Sequence, residues 1–287
     1  MSKRWRSWII WLLLPWLAGC SSLRLGYNQA PTLAYWWLDS YADFSAEQSP
    51  RVKDALSDWL AWHRATQLAD YAQSLSALGA MAVNPVTADQ LCAQVDAWQQ
   101  RAERAFDRAV PAVAAQLRTL TVEQISHLER RQAAKRDEQA ETYLQAKPAE
   151  RRQAAFERLL GRAETLYGKL DEPQRKQLAA AHQASPFQAE LWLAELRLRH
   201  AELARSLRQW QADRADSATV QAGLRRLAAE INRSPRADYR AYAARLKQAN
   251  CALMAQVHNS STPAQRQRAI TKFKDWEDDL RTLADPR

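Results

Sequence analysis

The chain has 287 residues and a formal net charge of +9, with 41 Lys and Arg against 32 Asp and Glu. Only six glycines and no run of β-branched residues interrupt long stretches of Ala, Leu, Gln, Glu and Arg, which excludes a sheet-based fold and leaves the all-α class. Histidines at 63, 127, 182, 200 and 258 lack the paired helical spacing of a zinc protease, and there is no glycine-rich phosphate loop or Gly-x-Ser-x-Gly elbow. No enzymatic activity, metal or cofactor is therefore expected.

At the N-terminus, Lys3, Arg4 and Arg6 precede an apolar run over residues 8–16. This pattern has the charged n-region and short h-region of a secretory signal and is too short to span a bilayer comfortably. Leu17-Ala18-Gly19-Cys20 looks like a lipobox, in which small residues fit a peptidase cleft and Cys20 supplies the thiol to be acylated. An uncleaved anchor with a chance cysteine is the alternative. On the lipobox reading, residues 1–19 are a lipoprotein signal peptide, 20–30 a lipidated tether and 31–287 a single helical domain on the periplasmic side of the envelope. Ser21 is not the Asp that retains such lipoproteins at the inner membrane, so the outer membrane is the expected address. Loss of the signal leaves the mature chain basic. Beyond the inner membrane the polyanions within reach are lipid A phosphates, anionic phospholipids and peptidoglycan carboxylates rather than nucleic acid. A charge that serves only solubility is the plainer reading.

Pro31 opens an aromatic helix containing Tyr35-Trp36-Trp37-Leu38-Asp39. Three consecutive rings cannot all face one core, so one is left for a neighbouring helix or for lipid, with core packing preferred. The chain then repeats one piece of punctuation. Ser45 with Gln48, Thr87 with Gln90, Thr121 with Gln124, Asp171 with Gln174 and Thr262 with Gln265 are capping boxes, predicting helices that start near Ala46, Ala88, Val122, Glu172 and Pro263. Val86 with Leu91 and Leu120 with Ile125 occupy the staple positions. After Ser45, Leu56, Trp59, Leu60 and His63 share a face, and Leu68, Tyr71, Leu75 and Leu78 continue the burial. Unbroken to Met81, that helix would be about 50 Å long. Pro85 should end the region, Pro111 should kink the next helix, and Pro148 and Pro186 should break later ones.

Residues 129–142 offer almost nothing to a core and read as a solvated helix or, on a sharper reading, a binding face. Amphipathicity returns at residues 191–207 through Leu191, Trp192, Leu196, Leu203 and Leu207. Cations dominate residues 197–247, including Arg197, Arg199, Arg205, Arg208, Arg225, Arg226, Arg233, Arg236, Arg240 and Arg245, which suggests a basic face. The architecture expected is an elongated bundle of long antiparallel helices without a sheet.

Two features remain. With Cys20 lipidated, Cys92 and Cys251 are an even pair in an oxidising compartment, and a disulfide is the inference, two unrelated buried thiols the alternative. His63 and Arg64 form a polar pair beside Trp59. A buried imidazole needs a partner, and Asp39 or Asp43 of the aromatic helix is the expected one, which makes His63, Arg64 and Asp39 a candidate structural polar site.

The lipobox, Tyr35-Trp36-Trp37-Leu38-Asp39, Trp62-His63-Arg64 followed by Leu68 and Tyr71, and Gly168-Lys169-Leu170 ahead of Gln174 together resemble a proteobacterial family of uncharacterised helical lipoproteins. The resemblance spans nearly all of the mature chain and implies a helical lipoprotein without assigning an activity. The Leu-Thr-x-x-Gln box at Leu120 also resembles those of the Spy-like periplasmic chaperones, which are shorter and carry no lipid. The expected function is a non-enzymatic scaffold or binding module presenting a basic face to envelope polyanions or envelope proteins. A chaperone-like envelope-stress protein is the alternative.

Overall fold

The structure, a computed structural model, describes residues 22–285. Among the described residues the chain forms twelve α-helices and no strand, as expected for a sequence whose segments favour helix nearly everywhere. In chain order they are α1 (Ser22–Asn28), α2 (Ala30–Ala42), α3 (Gln48–Thr66), α4 (Leu68–Met81), α5 (Ala88–Leu117), α6 (Val122–Tyr143), α7 (Pro148–Tyr167), α8 (Glu172–Gln183), α9 (Ala189–Ala212), α10 (Ser217–Asn232), α11 (Ala237–Asn259) and α12 (Pro263–Ala284). Residues 1–19, read above as a signal peptide, and Cys20 lie outside the described residues.

Helices α5, α6, α8 and α12 start at the predicted residues, each behind a complete capping box. The Ser45 box is formed too, with Gln48 N donating to Ser45 Oγ at 3.2 Å and Ser45 N to Gln48 Oε1 at 2.9 Å. Residues 46 and 47 make a turn, so regular helix begins only at Gln48.

Four of the five boxes do more than start helices. Gln124 Nε2 donates to Gln48 Oε1 at 2.7 Å and Gln48 Nε2 returns a bond to Gln124 Oε1 at 3.2 Å. The same two amides reach the carbonyl two residues before the partner's cap, Gln124 to Asp43 O at 2.8 Å and Gln48 to Thr119 O at 2.9 Å. Gln174 and Gln265 repeat the arrangement, with mutual bonds of 2.7 and 3.0 Å and further bonds to Ser260 O and Lys169 O. Helix starts far apart in sequence are thereby docked in pairs, α3 with α6 and α8 with α12. The Thr87 box is docked differently: Asn259, at the end of α11, accepts from Val86 N and donates to Val86 O.

Helix α4 packs on α12, burying Leu68 and Ala72 against Leu280 and Leu283. Val110 and Ala114 of α5 meet Val220 and Leu224 of α10. The predicted staple pair Leu120 and Ile125 is buried with Ala42 and Leu207, and Leu160, Tyr167, Leu170, Leu178 and Ala269 join α7, α8 and α12. Two positions call for glycine: Gly168 sits at φ +75°, which side chains rarely adopt, and a Cβ on Gly223 would lie 2.2 Å from Trp210 Cζ2. Cys92 of α5 and Cys251 of α11 form the inferred disulfide, with Cα atoms 5.5 Å apart and a sequence separation of 159. By chain entropy a loop of that length stabilises by at most about 5 kcal/mol.

Four local expectations are corrected. Instead of a tether, residues 22–28 are helical and held to the body by Tyr27 and by an Arg24 to Asp279 ion pair of 3.0 Å. The helix that would run unbroken from Ser45 to Met81 is divided at Gln67 into α3 and α4, although Gln67 N still donates to His63 O at 2.9 Å and Tyr71 N to Gln67 O at 3.0 Å. Trp36 and Trp37 are exposed rather than in the core, since the inward positions of α2 are taken by Ala34, Tyr35, Leu38 and Ala42. Residues 129–142 are solvated on one side only, with Gln132 buried and Arg136 bonded to His200 of α9. Pro85 and Pro186 fall between helices and Pro148 opens α7 as its first residue, while Pro111 lies inside the helical span of α5.

The glutamine pairs can be tested against an internal control. Gln124→Ala removes several bonds worth about 1 kcal/mol each and strands the buried Gln48 amide, for an expected loss of about 2–4 kcal/mol. Gln90→Ala, in the exposed Thr87 box, should cost only about 1 kcal/mol. In urea denaturation the Gln48→Ala/Gln124→Ala double variant should lose less than the sum of the singles; additive losses would mean that the two amides do not act together.

Candidate functional site

Val52, Ala55, Leu56 and Trp59 stand at i, i+3, i+4 and i+7 on α3 and so share one face. Opposite them α5 presents Ala109, Ala112, Val113 and Leu117, and α2 contributes Leu38, Tyr41 and Ala42. The three helices enclose an apolar cleft of about 800 Å³, floored by Phe44, Leu120 and Leu128. Trp59 Nε1 donates to Ala105 O at 2.9 Å, which satisfies the indole and pins α3 to α5. Four alanines, at 42, 55, 109 and 112, leave the space between the walls unfilled. The charged rim consists of Arg51, Asp54, Asp58 and Arg108, the last with its guanidinium 5.8 Å from the Trp62 ring centre. One polar atom on the wall is unmatched: Gln116 Oε1 is buried without a hydrogen-bond partner. Such an atom is costly unless a donor reaches it. The titratable side chains lining the cleft are Tyr41, Arg51, Asp54, Asp58 and Arg108.

The predicted polar site is assembled differently from expectation. His63 stacks on Trp59 at 4.8 Å, meets Tyr71 edge-on at 5.3 Å, and its Nδ1 is 2.9 Å from Tyr27 OH. Burial lowers the His63 pKa and pushes that of Tyr27 up to about 12. The partner is thus Tyr27, not Asp39 or Asp43. Helices α2 and α3 run antiparallel about the turn near Ser45, so a residue eighteen positions beyond the turn lies level with one about eighteen before it, in α1. Asp39 instead accepts from Phe44 N at 2.9 Å and closes the end of α2, where Asp43 adopts φ +49°. Arg64 donates to Asn28 Oδ1 at 2.8 Å and lies 5.2 Å from the Tyr27 ring centre. His63 and Arg64 therefore hold α1 in place, and Asp39 is separate from them.

The cationic run of residues 197–247 is largely neutralised within the fold. Arg199 and Arg236 converge on Glu195, whose side chain is almost fully buried. Arg208 pairs with Glu129, Arg225 with Asp107, Arg205 with Glu202, and Arg226 with Glu202 and Glu230. Arg240 is used by the carbonyl of Ser234 at 2.8 Å. Arg197, Arg233 and Arg245 are exposed. Glu129 and Asp107 come from α6 and α5, so counting charge along the run overstates the basic face. Sequence reasoning missed the cleft itself; its signal was the Ala and Val spacing on the facing sides of α3 and α5.

Residues 40–240 match DUF6279, a family of unknown function. The match covers well over half of the chain, which belongs to this family. No curated protein and no solved structure matches the chain significantly.

His200 supplies a test of how the polar contacts respond to acid. Burial and, secondarily, the Arg136 guanidinium, which donates to its Nδ1 at 2.8 Å, push its pKa down to about 4. Unfolding restores the ordinary value of about 6.5, so between these limits the unfolded chain binds more protons than the folded one. Stability should be complete above about pH 6.5 and decline as the pH falls towards about 4, with His63, His182 and His258 acting in the same direction. His200→Asn keeps an acceptor for Arg136 and should flatten part of this slope in urea denaturation across that range. An unchanged slope would exclude His200 as a contributor.

Proposed function

We propose that this member of a family of unknown function is a non-enzymatic lipoprotein of the cell envelope, a binding module that holds an apolar chain in the cleft between α2, α3 and α5. The cleft carries this reading. Its size is that of a small-molecule site, its walls are carbon, and it has one convergent polar handle in Gln116 and charges only at the rim. A ligand with an acyl-like chain and a hydroxyl or amide donor would fill the space and satisfy Gln116 Oε1. Arg51 and Arg108 stand at the rim beside Asp54 and Asp58, so the rim suits a polar end without selecting its charge. The lipobox supports attachment through acylated Cys20 on the periplasmic side, and Ser21 supports the outer membrane. A basic face for envelope polyanions has weaker support, because most of the arginines in question are paired.

The chaperone alternative drew on the Leu-Thr-x-x-Gln box. Here Thr121 and Gln124 are engaged in capping and in the pair with Gln48, so the box offers nothing to a client. The proposal is tested with protein purified from membranes. Its intact mass should show Cys20 as the acylated first residue, and an unmodified Met1 would overturn the anchor. N-phenyl-1-naphthylamine should gain fluorescence on the wild type and be displaced by long-chain fatty acid. Ala112→Trp, which fills the cleft from α5, should abolish the gain. Equal uptake by the variant, or none by the wild type, would overturn the cleft as the binding site.

A further inference from the structure

Among the described residues, the outward face of α2 has no partner. Leu33, Trp36 and Trp37 are 51%, 62% and 62% exposed, and their spacing, with Ser40, places them on one side of the helix. Helix α2 cannot roll to bury them, because its inner side is fixed by Tyr35 OH donating to Ser49 Oγ at 2.9 Å and by Asp39 accepting from Phe44 N. Helical bonds continue through the turn at Gln29, from Gln29 N to Leu25 O and from Leu33 N to Gln29 O, so Leu25, 62% exposed, extends the stripe back along α1. Beside its far end stands a basic edge of α6. His127 Nε2 and Arg131 Nε both lie within 3.1 Å of Ser40 O, and the Arg131 guanidinium is 5.9 Å from the ring centre of Tyr41, which in turn packs 5.2 Å from Trp37. Arg130, exposed, continues that edge.

We infer that this stripe of Leu25, Leu33, Trp36 and Trp37, flanked by Arg130 and Arg131, is a docking surface for an anionic lipid bilayer. The inference rests on the lipobox reading for its orientation. Ser22 begins α1 two residues after Cys20 in sequence, and the helical rise puts Trp37 about 22 Å along the helices from Ser22. A rod anchored at one end, with an apolar stripe rich in tryptophan and cations alongside, lies in the interfacial layer of a membrane. A second copy of the chain is a poorer occupant, since symmetric pairing would bring the two basic edges together. Docking also sets the cleft beside the bilayer, because Tyr41 touches Trp37 on one side and lines the cleft on the other. A chain leaving the membrane would enter without crossing water.

The test uses the full-length acylated protein reconstituted into phosphatidylethanolamine and phosphatidylglycerol vesicles whose acyl chains are brominated near the headgroups. Flotation reports the anchor; quenching of tryptophan emission reports the stripe. Quenching is expected in the wild type, most of it lost in Trp36→Ala/Trp37→Ala and reduced when phosphatidylcholine replaces phosphatidylglycerol. Hydroxyl-radical footprinting of the wild type gives an independent readout, with Trp36 and Trp37 protected by vesicles and the exposed Met254 unprotected. Protein that floats with equal quenching in wild type and variant, and with unprotected Trp36 and Trp37, is anchored but undocked and overturns the inference. Protein without lipid that still binds vesicles through Trp36 and Trp37 would uphold the stripe while removing the anchor. Protection that follows a concentration-dependent dimer instead of vesicles would assign the stripe to a second copy and overturn it as well.

Discussion

The fold depends on a side-chain amide that works at two levels at once. In a capping box the glutamine oxygen returns to the cap's own amide, a local bond that any isolated helix could make. Here the oxygen of Gln48 or Gln124 accepts a second bond from its partner, and the nitrogen donates to the partner's oxygen and to a carbonyl just before the partner's cap. Every donor and acceptor of the amide is used, in a buried position where an unmatched one would cost most. Register follows from this. Sliding α3 against α6 by one residue would break all the shared bonds together, so the docking of two helix starts is specified far more sharply than hydrophobic contact alone would specify it. The same device, with Asp171 and Thr262 as caps, fixes α8 against α12.

Between these two fastened ends, the contacts of largest sequence separation do the joining. Helix α12 lies on α4, and α11 lies on α5 with the Cys92 to Cys251 bond between them. Asn259 adds bonds to both backbone groups of Val86 where α11 ends and α5 is about to begin. His258, next to it, has Nδ1 3.0 Å from Tyr167 OH and Nε2 2.9 Å from Asn84 O, and so ties α7 to the loop ahead of α5. The disulfide and these polar contacts act differently. The covalent bond restricts the unfolded chain, while the polar network penalises alternative packings of the folded one.

What the sequence made legible was local. Thr87, Thr121, Asp171 and Thr262 announce their helices because cap and glutamine lie three residues apart. Cys92 and Cys251 could be paired because the lipobox reading sets Cys20 aside and leaves two cysteines. What escaped it needed distance or direction. That Gln48 finds Gln124 depends on how two helix starts meet across 76 positions. Neither proline nor glycine marks the division at Gln67. Counting along residues 197–247 overstates their unpaired charge because Glu129 and Asp107, from α6 and α5, reach Arg208 and Arg225 only after folding. Tyr27 as the partner of His63 was within reach of simple reasoning, had the antiparallel turn at Ser45 been carried back past residue 30.

The cleft and the stripe belong to the same physical problem, the position of α2. Protein interiors close gaps larger than a water molecule, yet α3 and α5 stand apart here, with alanine at the facing positions 55, 109 and 112 and Trp59 tying the two helices at one level. Helix α2 covers one end of that gap with Leu38 and Tyr41 and turns Trp36 and Trp37 outward. It therefore separates two apolar surfaces, and Tyr41 touches both, its ring contacting Trp37 and Arg131 and its side chain lining the cleft. A helix that needed only to complete the core would carry polar residues on its outer face. One that carries tryptophans there, while leaving space beneath it, is placed as a wall between an apolar exterior and an apolar interior.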